Sequence, residues 1–173
     1  MAGTVALLRG VNVGGRNKVP MAELRTLCGE LGYPEATTFI ASGNVVFPES
    51  VPDAALLGDA IAVRFGVQTT VVLRTAAQLA KLIATKPFGS RTEQAYVAFL
   101  AGTPARASFE AFSTTDFPEN AWERVGPVLV ILYPSGFHRA QLTVARLERL
   151  LGVQVTLRNW RTTTKLAELA AAG

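Results

Sequence analysis

The sequence of 173 residues holds one cysteine and one histidine, and that scarcity removes several chemistries at once. A lone thiol cannot close an internal disulfide, which fits a reducing compartment. CxxC, HExxH and any cluster with metal-ligand spacing are all missing, so no structural or catalytic metal is expected. No serine sits in a nucleophile elbow. His138, in PSGFHRA, follows a turn and precedes a helix, which suits a surface or capping role better than general-base work. Acid–base chemistry by carboxylates stays open, but no catalytic motif is recognised, the catalytic residues are unknown, and no cofactor is implied.

Long hydrophobic runs are missing too. Apolar residues make up 49% of the chain, yet they fall in short stretches, far from the roughly 18 to 20 consecutive residues that cross a bilayer. The opening MAGTVALLRG has no basic stretch and too short an apolar run for a signal peptide, so a cytoplasmic location without membrane association is expected. Charge is modest: 17 basic against 13 acidic side chains, a net +4 with a pI near 9.6. That balance leans towards acidic partners, and where the charge sits matters more than its total.

What is present is enough apolar material for one domain or two small ones, arranged in an order that occurs twice. TVALLR, residues 4 to 9, reads as a buried strand, followed by a glycine-rich loop and a helix opening at Pro20, with Glu23 in its first turn and Gly32 past its end. In that helix Met21, Leu24, Cys28 and Leu31 recur on one face, which places Cys28 in the core rather than at a reactive site. ATTFIAS and NVVF follow as strands joined at Ser42-Gly43-Asn44, a hairpin signal. A helix from about Asp53 to Phe65 stops at Gly66, QTTVVLR is a fourth strand, and Thr75 with Gln78 forms a capping box for a helix ending before Pro87.

After about residue 91 the order repeats. AYVAFL is a strand, Thr103-Pro104 opens a helix, ERV and VLVILY are strands around Gly126-Pro127, a helix runs from about Arg139 to Leu151, VQVTLRN is a strand and TTTKLAELAAA closes as a helix. Each half is β-α-β-β-α-β-α. The expected fold is therefore α+β, two ferredoxin-like βαββαβ(α) units with antiparallel sheets, covering residues 1–86 and 91–173, with duplication of one unit as the economical reading. VALLR, TVVLR, YVAFL and VLVILY are apolar at consecutive positions, so both faces of those strands should be buried, covered by the other half or by a second subunit.

Two segments carry the chemistry. RGVNVGGRNKVP, residues 9 to 20, packs three glycines and three cations before a helix without an acid. Glycines let backbone N–H groups turn towards an anion, and a helix N-terminus adds partial positive charge. Gly10 to Asn17 matches the glycine spacing of a Walker loop, but Arg16 and Asn17 stand where lysine and Ser/Thr would hold phosphate and magnesium, which argues against an NTPase. A generic anion site and a purely structural glycine loop both remain open. In a βαββαβ unit strands one and two run the same way, so Ser42-Gly43-Asn44 should lie beside Arg9, Asn12 and Arg16, although Gly43 is also what a tight turn requires.

The second segment, LRNWRTTTK, places Trp160 among Arg158, Arg161 and Lys165, again without an acid. An aromatic among cations can stack on a base while the cations hold phosphate, but a tryptophan more often packs, and Thr162 to Thr164 have a use in capping the last helix. The aromatic strand motifs of an RRM are absent.

ALLRGVNVGGRNKVPMAEL, ASGNVVF and LRNWRTTTKLAEL together resemble the bacterial family known as domain of unknown function 1697, from the first strand to the last helix. The resemblance implies a bacterial cytoplasmic protein of paired ferredoxin-like units and no particular activity. The leading functional expectation is binding of a phosphate-bearing small molecule or nucleotide through Arg9, Asn12, Gly14, Gly15, Arg16, Lys18, Ser42 and Asn44. Arg158, Asn159, Trp160 and Arg161 form a second segment that joins only if the halves bring it there. The alternatives are single-stranded nucleic-acid binding along a basic stripe, or a protein-interaction module whose apolar sheet faces dimerise or take a partner strand.

Overall fold

A computed structural model describes residues 3–51 and 53–173. Residues Met1–Ile83 with Thr164–Gly173 make one compact unit, and Ala84–Thr163 make a second. The first unit runs β1 (Thr4–Leu8), α1 (Met21–Glu30), β2 (Thr37–Thr38), β3 (Asn44–Phe47), α2 (Ala54–Phe65), β4 (Val71–Thr75) and α3 (Ala76–Thr85). The second contains β5 (Ala95–Leu100), α4 (Arg106–Thr114), β6 (Trp122–Val125), β7 (Val128–Leu132), α5 (Val144–Leu151) and β8 (Val155–Asn159), after which α6 (Trp160–Ala172) closes the chain. The sheet orders are β2-β3-β1-β4 and β6-β7-β5-β8, every pairing antiparallel. Both units follow the βαββαβ order, with the first and third strands of each central in its four-stranded antiparallel sheet.

Local signals set most of the ends. Asp53 accepts from the N–H groups of Ala55 and Leu56 and starts α2, while Gly66, at φ 66°, ends it. Thr75 and Gln78 exchange the two bonds of a capping box at the start of α3. Thr143 caps α5 through the N–H of Arg146, and Gly152, at φ 69°, terminates it.

Three boundaries differ most from the sequence reading. ATTFIAS yields only Thr37–Thr38 as strand, because Phe39 N–H already bonds the Asn44 carbonyl (3.0 Å) and the chain turns from there. Ile40 sits in that turn at φ 51°, a left-handed conformation that costs a non-glycine residue roughly 1–2 kcal/mol. QTTVVLR pairs only from Val71, Thr69 being engaged with the Arg9 carbonyl (2.8 Å). The helix expected from about Arg139 begins at Val144, since Phe137–Arg139 form a separate 3-10 turn and Leu142 is drawn fully into the core.

Of the four consecutively apolar strands, β1 and β7 are buried throughout, whereas Leu73 of β4 and Tyr96 of β5 are half-buried. In β1, Val5, Ala6, Leu7 and Leu8 are all at 0% exposure, and all of β7 is buried. Ala6 and Leu8 share the core of the first unit with Leu24 and Cys28 of α1 and Leu57 and Ile61 of α2. At the start of the same strand Gly3 lies so close to the Ala170 carbonyl of α6 that a Cβ there would collide with it. In the second unit Ala98, Leu129 and Ile131 of the sheet meet Phe112 of α4 and Leu147 and Leu151 of α5.

Candidate functional site

The glycine-rich segment after β1 folds as a tight β-hairpin. Val13 and Arg16 pair across it, Arg16 N–H donates to the Val13 carbonyl (2.9 Å), and Asn12 N–H donates to the Asn17 carbonyl (2.9 Å). The two residues at the tip, Gly14 and Gly15, have φ of 56° and 76°. Positive φ at both central positions is the type I′ geometry that suits a two-residue hairpin, and glycine reaches it without strain. Walker-like spacing therefore has a different structural meaning here. After Gly15 the chain crosses back through Arg16 and turns again at Asn17, and α1 starts only at Met21, so the glycines do not lead directly into a helix.

Two asparagines hold the hairpin. The Asn12 side-chain amide donates to the carbonyls of Val19 (2.9 Å) and Ala41 (2.7 Å), and its Oδ1 accepts from Val19 N–H (2.8 Å). Asn17 donates to the Gly10 carbonyl (2.9 Å). Both stand at positive φ, 54° and 50°, which asparagine tolerates better than most residues. On the other side of the strand end, Leu8 N–H donates to the Gly43 carbonyl (2.8 Å), and a Cβ on Gly43 would crowd Leu8 Cβ at 2.8 Å. The β2–β3 turn thus lies beside the glycine loop, as the strand directions require.

The residues named from the sequence divide by role. Asn12 and Asn44 spend their side chains inside the protein: Asn44 is fully buried and donates to the Phe39 carbonyl (2.9 Å) and to Ser42 Oγ (3.0 Å). Arg9 is half-buried, its backbone tied to Thr69 and Thr70. Arg16 and Lys18 are exposed, as are Gly14, Gly15 and Ser42. The N–H groups of Gly14 and Gly15 donate to no other described residue. Asn17 and Ile40 were not singled out from the sequence. Asn17 could have been recognised as a turn-type residue closing a Gly-Gly hairpin, whereas nothing local marks Ile40.

The second segment has a different character. Arg158 is 8% exposed, and its guanidinium donates to Thr156 Oγ1 (2.9 Å) and the Leu157 carbonyl (3.0 Å). Burial brings its pKa down to about 10, still leaving it charged at neutral pH. Trp160 is 7% exposed, which is the packing role rather than an open stacking platform. Asn159 caps α6 by accepting from Thr162 N–H (2.7 Å), and Arg161 is exposed. Arg158 has a counterpart in the first unit: Leu73-Arg74 ends β4 as Leu157-Arg158 ends β8, with Lys81-Leu82 and Lys165-Leu166 at the same distance beyond. Arg74 is likewise desolvated, its pKa lowered. That internal match is readable in the sequence once the two halves are aligned on it.

Among the described residues, no group of three or more His, Cys, Asp or Glu side chains is arranged to hold a metal ion. A cleft of about 110 Å³ in the second unit is lined by Asp116, Glu119, Asn120, Gln141 and Arg146 over Phe117. His138 is exposed in the 3-10 turn. Cys28 is fully buried, and desolvation raises its thiol from 9.0 to about 11. We predict that a disulfide reagent at pH 8 leaves Cys28 unmodified in the native protein and reacts fully in denaturant. Because the unfolded thiol ionises near 9.0 and the folded one near 11, its stabilising contribution is complete below pH 9 and is lost as pH rises towards 11. Rapid native labelling at pH 8 would contradict this.

No helix among the described residues is long and apolar enough to cross a membrane. No protein with a curated description matches the sequence. The fold is similar to the solved structure of a conserved bacterial protein from Streptococcus pneumoniae, at 20% sequence identity, a TM-score of 0.72 and 98% coverage of both chains. The family described as protein of unknown function, DUF1697, matches residues 1–129. That span includes the ALLRGVNVGGRNKVPMAEL and ASGNVVF blocks and the whole hairpin, while LRNWRTTTKLAEL lies beyond it. The chain belongs to the DUF1697 family.

Proposed function

We propose that the hairpin after β1 binds the phosphate of a phosphate-bearing small molecule or nucleotide, with Arg16 and Lys18 as its principal contacts and Arg9 beside them. One observation carries the reading: two exposed cations stand on a hairpin that the Asn12 and Asn17 side chains hold in place, with no acid from residue 9 to residue 20. A site held before the ligand arrives loses less entropy on binding. The exposed Gly14 and Gly15 amides supply further donors to an anion. Asn12, Ser42 and Asn44 then belong to the scaffold that holds the hairpin against the neighbouring turn.

A thermal-shift screen against nucleotides, phosphosugars and short single-stranded oligonucleotides, at low and high salt, tests this. A ligand at 100 times its Kd adds about 2.7 kcal/mol of stability, which is roughly 5–10 °C for a chain of this size. Arg16→Glu should weaken the hit at least about tenfold, as reversing a contact charge replaces attraction with repulsion. Undiminished affinity in Arg16→Glu rules the assignment out.

A second reading, single-stranded nucleic acid, has its own observation. A side chain added at Gly14 or Gly15 would meet nothing within 4 Å, so the tip is open in the way an extended polyanion needs. Stabilisation by oligonucleotides that fades steeply with salt favours this source of phosphate, through counterion release. Stabilisation by mononucleotides that survives high salt favours the small molecule.

A further inference from the structure

Four large apolar side chains are exposed among the described residues: Leu56 and Val63 on α2, and Val13 and Ile40, at 64% and 49%, on two loops beside each other. Val13 and Ile40 stand on neighbouring loops of the first unit, the hairpin and the β2–β3 turn. The two loops are joined by the bond from the Asn12 side chain to the Ala41 carbonyl (2.7 Å), one residue along from each. Ile40 also holds a left-handed backbone, φ 51°, where a β-branched side chain is a true outlier. The other two left-handed positions of these loops that are not glycine are Asn12 and Asn17, the residue type that accepts the conformation. An isoleucine in such a place is neither preferred by the backbone nor used by the core.

Val13, paired with Arg16 across the hairpin, and Ile40, on the turn that Asn12 ties to it, put apolar surface near cations, which matches one kind of phosphorylated molecule better than others. A phosphosugar presents hydroxyls that Val13 and Ile40 cannot satisfy, and removing those hydroxyls from water without a partner is unfavourable. A nucleobase presents a flat, weakly hydrated face that gains from apolar contact. We infer that the ligand of the hairpin is a nucleotide whose base lies against Val13 and Ile40 while its phosphate meets Arg16 and Lys18. The inference rests on the phosphate reading of the same hairpin and adds the chemical class of the rest of the ligand.

Calorimetric titration of the full chain with AMP, ribose 5-phosphate and inorganic phosphate, using wild type, Val13→Ser and Ile40→Asn, separates the two levels. AMP should bind wild type more tightly than ribose 5-phosphate. Each substitution should weaken AMP by about fivefold while leaving ribose 5-phosphate within about twofold, because only the base loses its apolar contact. Ile40→Asn should also melt no lower than wild type, since asparagine relaxes the backbone, which shows that a loss of affinity is not a loss of fold. If AMP and ribose 5-phosphate bind alike and neither substitution distinguishes them, the base contact is refuted and phosphate binding stands. If no probe binds wild type, the phosphate reading fails and the base contact falls with it.

Discussion

Phe112→Ala is expected to destabilise the protein by about 3–5 kcal/mol, the range for removing a fully buried phenylalanine. Phe112 has 0% exposure and is the one buried residue of α4. Its ring lies 4.9 Å from Trp122, 5.3 Å from Phe117 and 6.1 Å from Phe109, centroid to centroid. It also belongs to the core that holds Leu129 and Ile131 of β7 and Leu147 of α5. The helix it anchors has no side-chain N-cap, so nothing local replaces the lost contact. Phe112→Leu keeps most of the volume and should cost well under half as much. Urea denaturation followed by tryptophan fluorescence measures both, and a loss below about 1 kcal/mol for the alanine variant would mean that α4 is held by something other than this ring.

Asn12→Ala is the second large effect, and it links stability to the site. The substitution removes three hydrogen bonds at once, to Val19 N–H, the Val19 carbonyl and the Ala41 carbonyl. Val19 is fully buried, so its N–H loses its partner away from water, a penalty of about 1–3 kcal/mol. Alanine at φ 54° adds strain that asparagine tolerates. A total of roughly 2–4 kcal/mol is expected from these terms together. The same change frees the hairpin from the β2–β3 turn, so the affinity of any hairpin ligand should fall although Asn12 itself need not touch it. Asn12→Asp keeps the acceptor for Val19 N–H and loses both donors, and should fall between wild type and alanine. Chemical denaturation and ligand titration on the three proteins give the two readouts, and an alanine variant with wild-type stability would show that the hairpin is held by its backbone alone.

The two basic segments were equally prominent as sequence, yet the second leaves only Arg161 and Lys165 at the surface and draws Arg158 and Trp160 inside. Arg16 and Lys18 lie on a loop that extends beyond the sheet end, whereas Arg158 lies within β8, opposite Val97 in the central strand β5. A residue in a strand packed on both faces must be buried whatever its charge, and Arg158 meets that constraint by bonding Thr156 and its own neighbour's carbonyl. Trp160 follows from the same position, one residue past the strand and at the first turn of a buried helix.

By itself the sequence determined the twofold βαββαβ order, most helix ends and the adjacency of the glycine loop to the Ser42-Gly43-Asn44 turn. Starts at Asp53 and Thr75 and stops at Gly66 and Gly152 are interactions between residues within a turn of one another, so they are written locally, whereas the Thr143 cap of α5 was not read. The adjacency needs only strand direction. Tertiary structure alone decided that residues 12–17 close as a hairpin stapled to Ala41, that β2 shrinks to two residues, that Ile40 is left exposed at positive φ, and that Thr164–Gly173 group with the first unit. Each of these depends on partners that are remote in sequence: Asn12 finds a carbonyl on another loop, and Ala170 reaches the first strand beside Gly3. Local propensity carries no information about such partners, because the hydrogen bonds and contacts exist only once the chain has closed upon itself.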